Sequence, residues 1–224
     1  MHGGQKPDGG LARRACSYNH GLYERPVQDS TITPAALPGA AQLAAADMRE
    51  VDAVIRRRLA SDVVLVNQIS EYIISAGGKR MRPMLVILFA RALGFRGPEQ
   101  HELAATVEFI HTATLLHDDV VDESSLRRGR QTANALFGNA ASVLVGDFLY
   151  SRAFQMMVSV GRMRVLEVLA DATNVIAEGE VLQLMNMHDP DIAVGEYLRV
   201  IRFKTAKLFE ASARLGAVLA GAAA

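Results

Sequence analysis

Cysteine is almost missing from this chain of 224 residues: Cys16 stands alone. A single thiol excludes a disulfide within the chain and any zinc site built on several cysteines. An excess of either charge is missing too. The 24 Lys and Arg balance 24 Asp and Glu, for a formal net charge of zero. That balance argues against general attraction to nucleic acid or to an anionic lipid surface, so any charge-based function must be local. Long apolar runs are also absent. Stretches such as 83-PMLVILFARAL-93 are too short for a membrane span and are interrupted by charge. No apolar core follows the first basic residues, as a secretory leader would need. Asp8, Glu24 and Asp29 speak against an organellar one. The expectation is a cytoplasmic protein with no transmembrane segment and no nucleic-acid partner.

Half of the residues are hydrophobic, enough for a sizeable core. Residues 1–40 are rich in Gly and Pro and lack periodicity, which reads as a disordered tail. From residue 41 to 224 apolar residues recur three and four apart, the period of a helix. The pattern predicts helices over 41–60, 62–76, 81–94, 99–122, 132–161, 164–187 and 193–222. Breaks fall at 77-GG-78, 94-GFRGP-98, 124-SSLRRGR-130 and 188-HDPD-191. No run alternates as a half-buried strand must, although β-branching also allows a strand at 62-DVVLVNQI-69. The fold expected is all-α: long, mostly apolar helices packed as a bundle.

Against that background, 107-VEFIHTATLLHDDVVDESSLRRGR-130 concentrates opposite charges at the end of an apolar segment. Asp118 and Asp122, four apart, share one helix face, one turn from each other. Unpaired, they repel, and they sit near a helix C-terminus, where negative charge is unfavourable. A cation would relieve both costs. Oxygen ligands select a hard ion, and Mg²⁺ takes one or two carboxylates while leaving positions for phosphate oxygens. The plain alternative is a solvated acidic helix end. His111 lies two turns before Asp118 on nearly the same face, and Arg127 and Arg128 follow within one short loop. A second cationic cluster, 77-GGKRMRP-83, supplies Lys79, Arg80 and Arg82 beside glycines that permit close backbone approach. In 203-FKTAKLFEAS-212, Lys204 and Thr205 interrupt an apolar helix, and Gln183 does the same in 178-EGEVLQL-184. Each can be a solvated or buried polar group. Together they describe two phosphate sites, one built on carboxylates and metal and one on cations alone.

From about Asp47 onward, four fifths of the chain resembles trans-prenyl diphosphate synthases, in particular bacterial long-chain, octaprenyl-type enzymes. The matching stretches are GGKRMRP at 77–83, EFIHTATLLHDDVVDESSLRRGRQTAN at 108–134, GDFLYSRAF at 146–154 and FKTAKLFE at 203–210. The resemblance implies an all-helical isoprenoid-synthase bundle around a central cavity, usually a homodimer. It implies a prenyltransferase that joins isopentenyl diphosphate to an allylic diphosphate such as farnesyl diphosphate, with Mg²⁺ as cofactor. Carried over by motif, Lys79, Arg82, His111 and Arg128 hold isopentenyl diphosphate. Asp118 and Asp122 bind Mg²⁺, supported by Asp119, and Arg127, Lys204 and Thr205 hold the allylic diphosphate. Lys204 counts with the three aspartates as catalytic. Gln183 falls in a GQxxD pattern that here reads Gly179-Glu180-Val181-Leu182-Gln183, so its role in binding substrate rests on a departed motif. Small residues at Ala113 and Thr114, about one turn before Asp118, favour a long product, a quinone side-chain precursor.

One family feature is missing. No second aspartate-rich motif follows: Asp189 and Asp191 lie in a proline turn with the wrong spacing, and the sequence closes in 217-AVLAGAAA-224. The expectation is therefore the N-terminal portion of a longer enzyme, a poor catalyst alone. Two other readings remain open: a non-catalytic subunit of a heteromeric prenyl synthase, and a terpene cyclase of the same fold. The cyclase would not need Lys79, Arg82 and His111.

Overall fold

The computed structural model describes residues 38–187 and 189–222. Most of the tail expected over residues 1–40 lies outside the described residues; its last three belong to the first helix, α1 (Pro38–Leu59). The other long helices follow the apolar periodicity closely: α2 (Val64–Ser75), α3 (Met81–Ala92), α4 (Glu99–Val121), α6 (Asn139–Val160), α7 (Met163–Met185) and α9 (Lys207–Leu219). The stretch that also allowed a strand, 62-DVVLVNQI-69, enters α2. Asn67 and Ser61 bond each other's polar groups at its start (2.7 and 3.1 Å). A strand there would have had no neighbouring edge to pair with, whereas the helix carries Ile69 into the core.

α4 lies at the centre, packed mainly on α6 and α3 and also touching α9. Leu103, Ala104, Ala105, Val107, Ile110, Ala113 and Leu116 are fully buried along it. A helix apolar on several faces belongs inside a bundle. Its polar end carries the first aspartates. Glu99 and Glu102 sit in the first turn, where the helix dipole favours negative charge.

Three local departures from the expected helices matter for the site. The segment 132–161 is two helices, because Gly138 (φ 87°) ends the short α5 (Ala133–Phe137) in a conformation that a side chain would strain. The break at 124–130 is a small hairpin. In it β1 (Leu126–Arg127) pairs antiparallel with β2 (Arg130–Gln131), Leu126 opposite Gln131 and Arg127 opposite Arg130. Its two turn residues, Arg128 and Gly129, both have positive φ (53° and 76°), as the tightest hairpin turn requires. Finally, 193–222 is not one regular helix: α8 (Val194–Ile201) and α9 flank a π-helical turn over Arg202–Ala206.

Candidate active site

The hairpin, the α2–α3 loop and the middle of α4 enclose a cavity of about 490 Å³. Lys79, Arg80, Arg82, His111, Arg127 and Arg128 all line it. The loop reaches the cavity through Arg80, which adopts a left-handed conformation (φ 47°) as it leads into α3. Arg80 then pairs with Glu108 on α4 at 2.7 Å. Arg82 stacks over the Phe209 ring, 4.2 Å from its centroid, and its Nε is buried with no hydrogen-bond partner. Arg128 donates to the Gly77 carbonyl. A Cβ on Gly78 would lie 3.2 Å from the Arg128 guanidinium, so glycine there lets the arginine lie close over the loop.

Burial and positive charge together perturb the one histidine in this cavity. Burial, and then the charges of Arg82, Arg128, Arg127 and Arg80, hold the His111 imidazole down to about 3. It is neutral at any ordinary pH. Burial also lowers Arg82, with Glu108 opposing the shift. A cavity lined by five guanidiniums, those of Arg80, Arg82, Arg127, Arg128 and Arg130, and a neutral imidazole is built for an anion of more than one charge.

Two turns further along α4, a second cluster forms where α4, α7 and the π turn meet. Lys204 contacts Glu180 at 2.6 Å and Asp118 at 3.4 Å. Burial pushes the Glu180 carboxyl up to about 7, with the Asp118 charge adding to the rise and Lys204 opposing it. Asp118 is raised as well, chiefly by burial. Burial lowers the Lys204 ammonium, but its bond to Glu180 and the charge of Asp118 outweigh that, and the net shift is upward. Glu180 thus takes up a proton at a higher pH than a free carboxylate does, while Lys204 stays charged beside it. The second Glu180 oxygen, Oε1, is buried without a partner. The exposed Asp122 accepts from the Gln183 amide at 3.3 Å.

Gly179 makes this junction possible. A Cβ there would lie 2.7 Å from the Lys204 backbone nitrogen and 2.9 Å from the Phe203 Cβ. Without a side chain, α7 comes close enough for Glu180 to reach the lysine.

The polyprenyl synthetase family model matches residues 63–224. The chain belongs to that family. It is 63% identical to the octaprenyl diphosphate synthase of Escherichia coli over 180 residues, 80% of this chain and 56% of that one. To the all-trans-nonaprenyl-diphosphate synthase (geranyl-diphosphate specific) of Rhodobacter capsulatus it is 48% identical over 178 residues, covering 79% of this chain and 55% of that one. Among solved structures, the Caulobacter crescentus polyprenyl synthase complexed with calcium and isoprenyl diphosphate superposes with a TM-score of 0.80. It is 52% identical over 82% of this chain and 56% of that one. The chain therefore spans about half the length of the curated relatives it matches.

Within this polyprenyl synthetase fold, the residues singled out by motif fall into the two clusters. Lys79, Arg82, His111, Arg127 and Arg128 meet around the cavity. Asp118, Asp122, Lys204 and Gln183 meet beyond it. Thr205 is exposed beside Lys204. Asp119 stands apart from its motif partners. Its side chain is 2% exposed and accepts a forked bond from Arg127, Nε at 3.0 Å and Nη2 at 2.7 Å. The motifs single out neither Glu180 nor Glu108, and Arg80 enters only as a cation of the 77–83 cluster, without a binding role carried over by motif. The signal for Glu180 was available, since it follows the glycine of the departed pattern. Arg80 sits inside GGKRMRP, but nothing in the sequence tells which of its cations turns back onto α4.

Among the described residues no group of three or more His, Cys, Asp or Glu side chains is placed to hold a metal ion by itself. No helix among them is long and apolar enough to cross a membrane.

Proposed function

We propose that this chain carries the diphosphate-binding and ionising site of a polyprenyl diphosphate synthase. The reaction joins isopentenyl diphosphate, head to tail and repeatedly, to an allylic diphosphate such as farnesyl diphosphate. The product is a long all-trans polyprenyl diphosphate, a precursor of quinone side chains. We read the synthase as a cytoplasmic homodimer whose helical domain begins near residue 41. The observation that carries the reading is the pairing of two unlike anion sites on one helix: a cavity of guanidiniums around neutral His111, and a carboxylate–lysine cluster two turns on.

In this reading Lys79, Arg82, His111 and Arg128 bind the diphosphate of isopentenyl diphosphate. Arg127, Lys204 and Thr205 bind that of the allylic substrate, with Gln183 at its edge. Asp118 and Asp122 are the groups that would hold Mg²⁺. The donors suit it: two hard carboxylates one turn apart, with diphosphate oxygens and water to complete the shell. The buried, partnerless Glu180 Oε1 marks a polar space beside them. When bound, the metal stabilises the negative charge that develops on the departing diphosphate. The chain's own part is to receive that charge on fixed cations. Lys204, now on Asp118 and Glu180, is within reach of an anion held between them. Arg127 is oriented by its fork to Asp119. The apolar helices exclude water from the allylic cation left when the C–O bond breaks. The double bond of isopentenyl diphosphate attacks that cation, a C–C bond forms, and loss of a proton restores a double bond.

Incubation with farnesyl diphosphate, labelled isopentenyl diphosphate and Mg²⁺, followed by chromatography, tests the reading. Long labelled chains that Asp118→Ala abolishes support it. A cyclised or unlabelled product made from farnesyl diphosphate alone overturns it in favour of a terpene cyclase. Product length gives a finer test. Ala113 is fully buried in the core, whereas Thr114 is half-buried four residues before Asp118. Thr114→Phe should therefore shorten the product, and an unchanged length counts against a long-chain cavity along that face.

A further inference from the structure

The hairpin bearing Arg127 and Arg128 is too small to hold its own shape. Its ladder is two residue pairs, and even a full two-stranded hairpin is marginal alone. Its turn places an arginine at φ 53°, a conformation that a non-glycine residue adopts only when its surroundings impose it. Several contacts fasten it. Arg127 grips Asp119. Asn134 reaches back to the Ser124 carbonyl at 3.2 Å. Arg128 donates to the Gly77 carbonyl. The returning strand is held by a residue that the substrate-binding motifs do not include. The Tyr72 hydroxyl, on α2, donates to the Gln131 carbonyl at 2.8 Å. The Arg130 guanidinium lies over the same ring, 4.9 Å from its centroid. Phe137 braces that ring edge-on at 5.7 Å. Tyr72 thus touches both residues of β2, the two that pair with Leu126 and Arg127.

We propose that Tyr72 is a positioning residue for the diphosphate cavity. It latches β2 to α2 and so fixes Arg127 and Arg128 over the site before any ligand arrives. The inference rests on the proposed function, because it assigns Tyr72 to the same cavity. The physical reason is preorganisation. If the two guanidiniums are already in place, binding does not have to order them; if the latch is released, that ordering cost is met from the binding energy. Tyr72→Phe keeps the ring, its Phe137 contact and its place under Arg130, and deletes only the hydroxyl. Loss of one such hydrogen bond should weaken binding roughly three- to tenfold.

Calorimetric titration of the full chain with isopentenyl diphosphate, alongside thermal melting, tests this. Binding that is weaker in Tyr72→Phe, and weaker again in Tyr72→Leu, with the melting point of Tyr72→Phe unchanged, supports the latch. Equal affinity in wild type and Tyr72→Phe overturns it and leaves the cavity assignment standing. Tyr150→Phe, which deletes a half-buried tyrosine hydroxyl that does not line the cavity, is the control. An equal loss there makes Tyr72 merely structural and overturns the inference as well. A wild-type chain that does not bind isopentenyl diphosphate sinks both the proposed function and this latch.

Discussion

Gly179→Ala sets a gain against a clash, and the structure decides which is larger. In an ordinary helix interior the exchange stabilises by about 0.5–1 kcal/mol, because alanine leaves the unfolded chain less freedom to lose. Here the new Cβ would sit 2.7 Å from the Lys204 nitrogen and 2.9 Å from the Phe203 Cβ. Neither obstacle is the free end of a flexible side chain. One is backbone, and the other is fixed to it by a single bond. α7 and the π turn must separate, and overpacking of this kind typically costs about 1–3 kcal/mol. The clash wins by about 1–2 kcal/mol. For a domain of this size each kcal/mol moves the melting temperature by about 2–4 °C, so Gly179→Ala should melt roughly 2–8 °C below wild type. Gly195→Ala is the matched control: it lies in α8 with nothing within 4 Å of an added Cβ, and it should melt at or slightly above wild type. Both are read by scanning calorimetry in one buffer. A Gly179→Ala protein as stable as wild type would refute the claim that this glycine is required for close approach, and with it the account of how Glu180 reaches Lys204.

The other predictions concern charge. The folded protein holds His111 down to about 3, whereas the unfolded chain takes up its proton near pH 6.5. Between those values the unfolded state binds more protons, so stability falls as pH falls, by at most about 1.4 kcal/mol per unit for this group. Denaturation of His111→Gln between about pH 6 and 4 should therefore lose stability less steeply than wild type; parallel curves would deny that burial and the neighbouring arginines hold this imidazole neutral. Asp119→Asn breaks the fork to Arg127 in a buried place and should cost about 1–3 kcal/mol in urea unfolding. Asp122→Asn, at an exposed position, should stay within about 0.5 kcal/mol. Equal losses would deny the separate structural part given to Asp119. Mg²⁺ with inorganic pyrophosphate should raise the melting temperature. At a hundredfold excess over Kd the gain is about 2.7 kcal/mol, roughly 5–10 °C here. Chelation, or Asp118→Ala, should remove the part of the gain that depends on the carboxylate cluster and leave the part owed to pyrophosphate in the guanidinium cavity. A shift that neither change reduces would deny the carboxylates a part in binding Mg²⁺ with pyrophosphate.

The helices and the charged motifs were legible in the sequence because both are local. Periods of three and four located the helical segments among the described residues, though not the splits at Gly138 and at the π turn, and the spacing of Asp118 and Asp122 put them on one face of α4. What could not be read depends on distant partners or backbone angles. The sequence 62-DVVLVNQI-69 suits either a strand or a helix until one asks what a strand would pair with. Asp119 looked like its motif neighbours and differs from them only because Arg127 returns to it through the hairpin. The left-handed angles of Arg80 and Arg128 leave no trace in residue type, since arginine is no habitual occupant of that region. Glu180 stands where the GQxxD pattern has its glutamine. Its contact with Lys204 requires α7 and the π turn to meet, and that approach is specified by Gly179.

The π turn over Arg202–Ala206 also sets the direction in which the residues before and after it point. Such a turn holds one residue more than the α-helical path would between the same ends. Removing one residue there should let Val194–Leu219 wind as a single regular helix. Residues on one side of the deletion would then rotate by about 100° relative to those on the other. Lys204 would turn away from Asp118, while the packing of α9 on α3 need not change. A one-residue insertion into an ordinary helix is thus enough to aim a lysine at a carboxylate pair.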